Sequence, residues 1–312
     1  ANRRVTAVIA RERPDARRPT EHLTSDVVAR AIRKEVREGR GSPHGGVFLD
    51  IASRRSAEDI KRKLPSMYHQ FKELADVDIT SDPMEVGPTC HYTMGGVRVD
   101  PETQQTTIPG LYAAGETAGG MHGSNRLGGN SLSDLLVFGK RAGEHAAKAA
   151  GTASQGQIND DEVERLAQKE LQPFSHEEGE NPYTLHEELR TLMQNNVGIV
   201  RTDEDLKAAL DGLVKIRQRA ATVKVGGNIQ YNPGWHLALD LENMLDISEA
   251  VTRAALERTE SRGAHTREDY PGSDAEWGKV NIIVRQTNEG IGVYREPLPE
   301  PPADVKEVLE GK

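Results

Sequence analysis

Val28, Ile32 and Val36 recur four residues apart between residues 26 and 38, which predicts a short amphipathic helix with Ser25 or Asp26 as N-cap and Gly39 as its stop. A glycine-rich turn over 41–46 separates it from the strand-like run Val47-Phe48-Leu49-Asp50-Ile51. Ser56-Ala57-Glu58-Asp59 then opens another helix with an approximate capping box. Residues 94–99 and 111–114 read as strands, a glycine-dense loop runs over 115–129, and a helix follows over about 131–150. Beyond a soft linker at 151–156, helical spacing returns in Val163/Leu166, Leu189/Leu192/Met193, Leu206/Leu210/Leu213 and Leu237/Leu241/Met244/Leu245, the pattern of a helical bundle. Residues 280–284 and 291–294 flank Asn288-Glu289-Gly290 as a hairpin, and the proline-rich, then charged, end over 297–312 reads as an exposed tail.

At 312 residues the chain has room for two or three units of about 100 to 150 residues each. No apolar run reaches the roughly 20 residues that cross a bilayer, so membrane association is expected only through a partner. A formal charge of -9, with Lys and Arg interleaved among acids, argues against a nucleic-acid surface. The single cysteine, Cys90, excludes an internal disulfide and a four-thiolate metal site; it reads as a buried structural thiol in a reducing compartment. The Arg-rich start, from Arg3 to Arg18, is compatible with a transit peptide but reads rather as a solvated segment within a longer protein.

The chemistry concentrates in one block. It comprises Pro88-Thr89-Cys90-His91-Tyr92-Thr93-Met94-Gly95-Gly96, Gly110-Leu111-Tyr112-Ala113-Ala114-Gly115-Glu116, and His122-Gly123-Ser124-Asn125-Arg126-Leu127-Gly128-Gly129-Asn130-Ser131-Leu132. A carboxylate just after an expected strand, as at Gly115-Glu116, suits a ribose hydroxyl. Dense glycines let backbone approach a flat ring, and a helix starting near Asn130 offers free N–H groups to a carbonyl or phosphate. Arg126 presents a fork that matches a carboxylate, and His91 can add a hydrogen bond to a dicarboxylate. Taken alone, His91 reads as an ordinary core histidine and Arg126 as a pin for loop carbonyls; their combination favours an anion site.

These motifs resemble the flavoprotein subunit of succinate dehydrogenases and fumarate reductases, which carries His-Tyr-x-Met-Gly-Gly and His-Gly-x-Asn-Arg-Leu-Gly-Gly-Asn-Ser-Leu. The resemblance also runs through Asp26-Val27-Val28-Ala29-Arg30, Glu38-Gly39-Arg40-Gly41 and Glu260-Ser261-Arg262-Gly263-Ala264-His265-Thr266-Arg267-Glu268-Asp269-Tyr270-Pro271. It implies FAD as cofactor and succinate or fumarate as substrate, with His91 and Arg126 holding the carboxylates. Glu116 would bind the FAD ribose, Ser131-Leu132 would contact the isoalloxazine through the helix start, and Gly115 and Asn130 complete the cofactor-binding set. The implied fold is α/β and α+β: part of a capping domain over 1–85, with 1–25 atypical, then the C-terminal portion of a flavin-binding domain over 86–150. A helical domain over 151–270 and a hairpin and tail over 271–312 follow. The implied partners are an iron-sulfur subunit, with membrane anchor subunits reached through it, which places the chain peripherally on the cytoplasmic face of the membrane. A role in the tricarboxylic acid cycle and electron transport follows from the same resemblance.

Two departures qualify these expectations. The family's Gly-x-Gly-x-x-Gly fingerprint, its FAD-attaching histidine and its His-Pro-Thr and Thr-Glu substrate elements have no counterpart in these residues. The family's proton-relay arginine precedes the Asp of Asp-x-Val-x-x-Arg, where this chain has Ser25. A truncated, frame-shifted or rearranged reading frame would account for both, and the chain alone is then expected to be inactive. The rival readings are L-aspartate oxidase, disfavoured by Arg267-Glu268-Asp269, and a non-catalytic remnant that binds partner subunits. The direction of the reaction is not legible.

Overall fold

The computed structural model describes residues 25–154 and 156–309, so the Arg-rich start lies outside the described residues. These residues combine helices with short antiparallel strand pairs and fall into two compact units divided after Ala142. In the first unit, α1 (Ser25–Arg37) lays Val27, Val28, Ala31 and Ile32 against Val47 and Val86. Val47 opens β1 (Val47–Leu49), which pairs antiparallel with β2 (Met84–Val86), two residues shorter than the run to Ile51 suggested. Gly46 is required at the entry to β1, because a Cβ there would overlap the Val86 carbonyl. Ser56 Oγ accepts the Asp59 N–H and starts α2 (Ala57–Lys63), which continues through Leu64 into α3 (Pro65–Ala75). Ile60, Ile79 and Met84 form the small core beneath, with Tyr68 and Phe71 at its edge.

The strands expected over 94–99 and 111–114 do not form. Gly95 and Gly96 adopt φ of 106° and 143°, and Gly110 adopts 84°, so neither segment stays extended long enough for a ladder. Isolated bridges remain: Val97 with Ala118, Val99 with Thr106, and Gln105 with Tyr112. Cys90, expected to be buried, is exposed. The helix expected after the glycine loop is α4 (Asn130–Ala150).

The second unit is built on α5 (Asp160–Ser175), α6 (Pro182–Asn196), α7 (Asp203–Ala220) and α8 (Pro233–Glu257). Each starts on a side chain that accepts first-turn N–H groups: Asn159, Asn181, Thr202 and Asn232 respectively. Leu185 and Leu189 from α6, Leu213 and Ile216 from α7, and Leu241 and Leu245 from α8 fill the core. Full burial of each such side chain stabilises by about 1.5–3 kcal/mol. Val163 and Leu166 stay exposed, contrary to their periodicity, because α5 reaches this core through Phe174 and accepts the Trp235 indole N–H at the Glu170 carbonyl, 2.8 Å away.

The Glu-Ser-Arg-Gly-Ala-His-Thr-Arg-Glu-Asp segment folds back on the end of α8. Arg267, 0% exposed, donates to the Ala255 and Leu256 carbonyls and forks onto Asp269, while Asp269 accepts the Asp203 N–H at the start of α7. Glu260, 1% exposed, receives Arg258, Arg262 and the Asp274 N–H. The hairpin is longer than expected, with β3 (Val280–Thr287) and β4 (Gly290–Pro297) paired from Val280↔Pro297 to Thr287↔Gly290. The exposed tail carries a short helix, α9 (Ala303–Leu309). Among the described residues, no helix is long and apolar enough to cross a membrane and no cluster of His, Cys, Asp and Glu has a metal-binding arrangement.

Candidate functional site

The His-Tyr-x-Met-Gly-Gly segment is held to the glycine loop by backbone. Val97 N–H donates to Thr117 O and Gly119 N–H to Val97 O, at 2.8 and 2.9 Å. The chains approach so closely that a Cβ on Gly96 would overlap the Thr117 carbonyl, and one on Gly119 would crowd Gly96. Glycine is therefore dictated by contact and positive φ together at Gly96, and by contact at Gly119. Glu116 Oε1 accepts the Thr93 N–H at 2.9 Å and ties the turn after Gly115, whose φ is 70°, to the same segment.

This docking brings His91 and Arg126 together across 35 residues of sequence. Arg126 Nη2 donates to His91 Nε2 at 3.0 Å, Nη1 donates to the Leu127 carbonyl, and the guanidinium lies over the Tyr92 ring with its carbon 4.7 Å from the centroid. Among the described residues, Arg126 Nε is buried and has no hydrogen-bond partner. A cationic fork set beside an imidazole has the chemistry of an anion site.

Behind the pair lies a buried carboxylate that the sequence did not single out. Asp134, 6% exposed, accepts His122 Nε2–H at 3.1 Å and stands 3.5 Å from the Tyr92 hydroxyl. The Tyr92 and His122 rings meet edge to face at 5.4 Å. Burial, and then the negative charge of Asp134, push the Tyr92 phenol above its ordinary range, which keeps it a hydrogen-bond donor. The one signal available in the sequence was an acid set among leucines in Ser131-Leu132-Ser133-Asp134-Leu135-Leu136.

Ser25 is the first residue of α1. Asp26 beside it accepts from Asn125 Nδ2 at 3.1 Å and from Arg30 at 2.9 Å, so the first turn of α1 is fastened to the residue preceding Arg126. Gly129, with φ of 87°, turns the chain into α4, where Asn130, Ser131 and Leu132 form the first turn. Leu132, Leu135, Leu136 and Val137 are exposed along the helix. Open glycine backbone, helix-start N–H groups and bare apolar side chains fit a flat ring whose edge carries polar carbonyls, so the residues present match a flavin.

Two family models match the chain: an FAD binding domain over residues 1–132 and the fumarate reductase flavoprotein C-terminal region over 186–305. The matching chain of the fumarate reductase (CoM/CoB) of Methanothermobacter marburgensis is 42% identical over 266 residues, covering 85% of this chain and 48% of the relative. The succinate dehydrogenase flavoprotein subunit of Coxiella burnetii is 35% identical over 284 residues, covering 86% of this chain and 48% of the relative. Among solved structures, Mycobacterium smegmatis Sdh1 in complex with UQ1 superposes with a TM-score of 0.84 at 53% identity, over 94% of this chain and 50% of that one. The chain thus spans about half the length of the curated relatives it matches.

Proposed function

Because the chain belongs to the flavoprotein subunits of the succinate dehydrogenase and fumarate reductase family, with FAD as cofactor, we propose that it carries the dicarboxylate-binding part of an enzyme that interconverts succinate and fumarate. The observation that carries this reading is the meeting of Arg126 and His91 at 3.0 Å, with Arg126 Nε unmatched among the described residues.

FAD, when bound, supplies the two-electron acceptor for the hydride that leaves one succinate methylene. This chain's residues do the rest of the work assigned to them. Arg126 holds one carboxylate through a charged fork, and His91 donates to the substrate so that it cannot rotate out of line. Glu116, which accepts the Thr93 N–H, would meet a ribose hydroxyl, and Gly115, Asn130, Ser131 and Leu132 would supply the close backbone and helix start for the ring. Succinate oxidation also releases a proton from the second methylene, and the relay position for that proton holds Ser25. A serine hydroxyl is neutral and a poor proton shuttle near neutral pH, so the chain binds its substrate better than it turns it over. Arg30, the nearest cation along α1, is engaged with Asp26. An iron-sulfur subunit is the proposed acceptor of the electrons, with attachment to the membrane through further subunits and a place in the tricarboxylic acid cycle and electron transport.

The test supplies the Gly-x-Gly-x-x-Gly segment from an active relative as a separate polypeptide and measures succinate oxidation with Ser25 intact and with Ser25→Arg. Turnover is expected only with Ser25→Arg, and Arg126→Lys should then remove it. Near-normal turnover with Ser25 intact refutes the relay assignment; turnover that survives Arg126→Lys refutes the site.

A further inference from the structure

We propose that Asp134 is a positioning residue for Arg126, acting through His122 and Tyr92. The proposal deepens the dicarboxylate reading of the His91–Arg126 pair and rests on it.

The pattern of α4 is inverted around this residue. Asp134 is the buried residue of the helix, whereas Leu132, Leu135, Leu136 and Val137 face outward. A carboxylate withdrawn from water persists only where donors meet it, and among the described residues these are His122 and Tyr92. Because the Asp134 oxygen accepts, His122 Nε2 carries the proton, which fixes the ring in one tautomer and one orientation. His122 in turn sets its ring against Tyr92 at 77° and 5.4 Å. The opposite end of this chain of contacts is the face of Tyr92 on which the Arg126 guanidinium rests, 4.7 Å from the centroid.

Among the described residues Arg126 has few other constraints. Its remaining hydrogen bonds there go to one loop carbonyl, Leu127 O at 3.2 Å, and to His91, which is itself proposed to hold substrate. The Tyr92 ring is thus the non-ligand surface that defines the plane of the guanidinium. A negative charge beside the Tyr92 hydroxyl enriches the ring and strengthens its hold on the cation, and the buried setting magnifies that effect. Asp134 therefore joins three segments, the His91–Tyr92 stretch, the 122–126 loop and α4, at the one point where all must agree for a fork to face a carboxylate. It touches no substrate in this scheme.

The test uses the 312-residue chain with malonate, a dicarboxylate whose single methylene prevents dehydrogenation. Calorimetry reads malonate affinity, and the Arg126 Nε–H resonance, identified by its loss in Arg126→Lys, reports stacking on Tyr92 through its ring-current shift. Asp134→Asn is expected to weaken malonate at least fivefold and to move that resonance towards the free-arginine position, with the melting temperature nearly unchanged. Wild-type affinity in Asp134→Asn overturns the proposal. Weaker binding that accompanies a large loss of melting temperature and an unmoved Arg126 resonance also overturns it, since that marks a purely structural role. If Asp134→Asn does not fold, His122→Gln decides, with at least a threefold loss expected and wild-type affinity overturning the proposal. A wild-type chain that ignores malonate, or an Arg126→Lys variant that binds it unchanged, overturns the dicarboxylate reading itself and the proposal with it.

Discussion

Acidification should unlock the second unit through His265. This imidazole has no room for a second proton: Nδ1 accepts Arg201 Nη1–H at 3.0 Å, and Nε2 donates to the Arg258 carbonyl at 3.1 Å. Burial first, then the charge of Arg201 with those of Arg258 and Arg267, push its pKa from 6.5 down to about 4. The folded state therefore binds fewer protons than the unfolded one between these values, and stability falls as pH drops below about 6.5 until it levels off near 4. At about 1.4 kcal/mol per tenfold difference in proton affinity, the whole effect is about 3 kcal/mol. Between pH 7 and 5 the loss is about 2 kcal/mol, a substantial share of an ordinary stability of roughly 5–15 kcal/mol. Glu260 acts in the same direction but in a lower window. Its burial raises its pKa, yet hydrogen bonds from Arg262, the Asp274 N–H and Arg258 outweigh this and hold it at about 2, so its contribution is lost only below about 4.5. Urea unfolding at pH 7, 6 and 5 separates the two, with His265→Gln as the reference that cannot titrate. The wild type should lose about 2 kcal/mol more than the variant across that range. Equal losses, or a His265 ring-proton resonance titrating near 6.5, would refute the reasoning.

Other consequences can be checked independently. Arg267→Met strands Asp269 and the Ala255 and Leu256 carbonyls, and should cost about 3–5 kcal/mol in thermal or urea unfolding. Gly96→Ala should destabilise the first unit more than Gly123→Ala does, since both have positive φ but only Gly96 also faces the immovable Thr117 carbonyl. Strain alone costs roughly 1–3 kcal/mol, and a Gly123→Ala variant that proves the less stable would contradict the contact argument. Purified alone, the 312 residues should retain FAD well below one equivalent, read from visible absorbance, because they contain no Gly-x-Gly-x-x-Gly segment to hold the pyrophosphate. Leu136→Glu should then reduce self-association in gel filtration by placing a charge in the bare apolar stripe of α4.

The sequence by itself determined what repeats locally. Leucines at helical spacing in α6 to α8, the Ser56 start of α2, and the Asn288-Glu289 turn of the β3–β4 hairpin were all legible, because period and turn chemistry act over a few residues. The His91 and Arg126 motifs were legible through their residue types, though their 3.0 Å meeting depends on the fold. Tertiary structure decided which residues leave the solvent. It put Cys90 outside, kept Val163 and Leu166 off the bundle core, and reduced two apparent strands to single bridges where glycines turn the backbone to positive φ. It also chose the polar partners. Asp134 meets Tyr92 across 42 residues and Asn125 meets Asp26 across 99, separations at which no periodicity operates. A face pattern encodes how much apolar surface a helix hides, whereas a buried carboxylate finds its donors only once glycine turns and close backbone contacts have brought distant segments together.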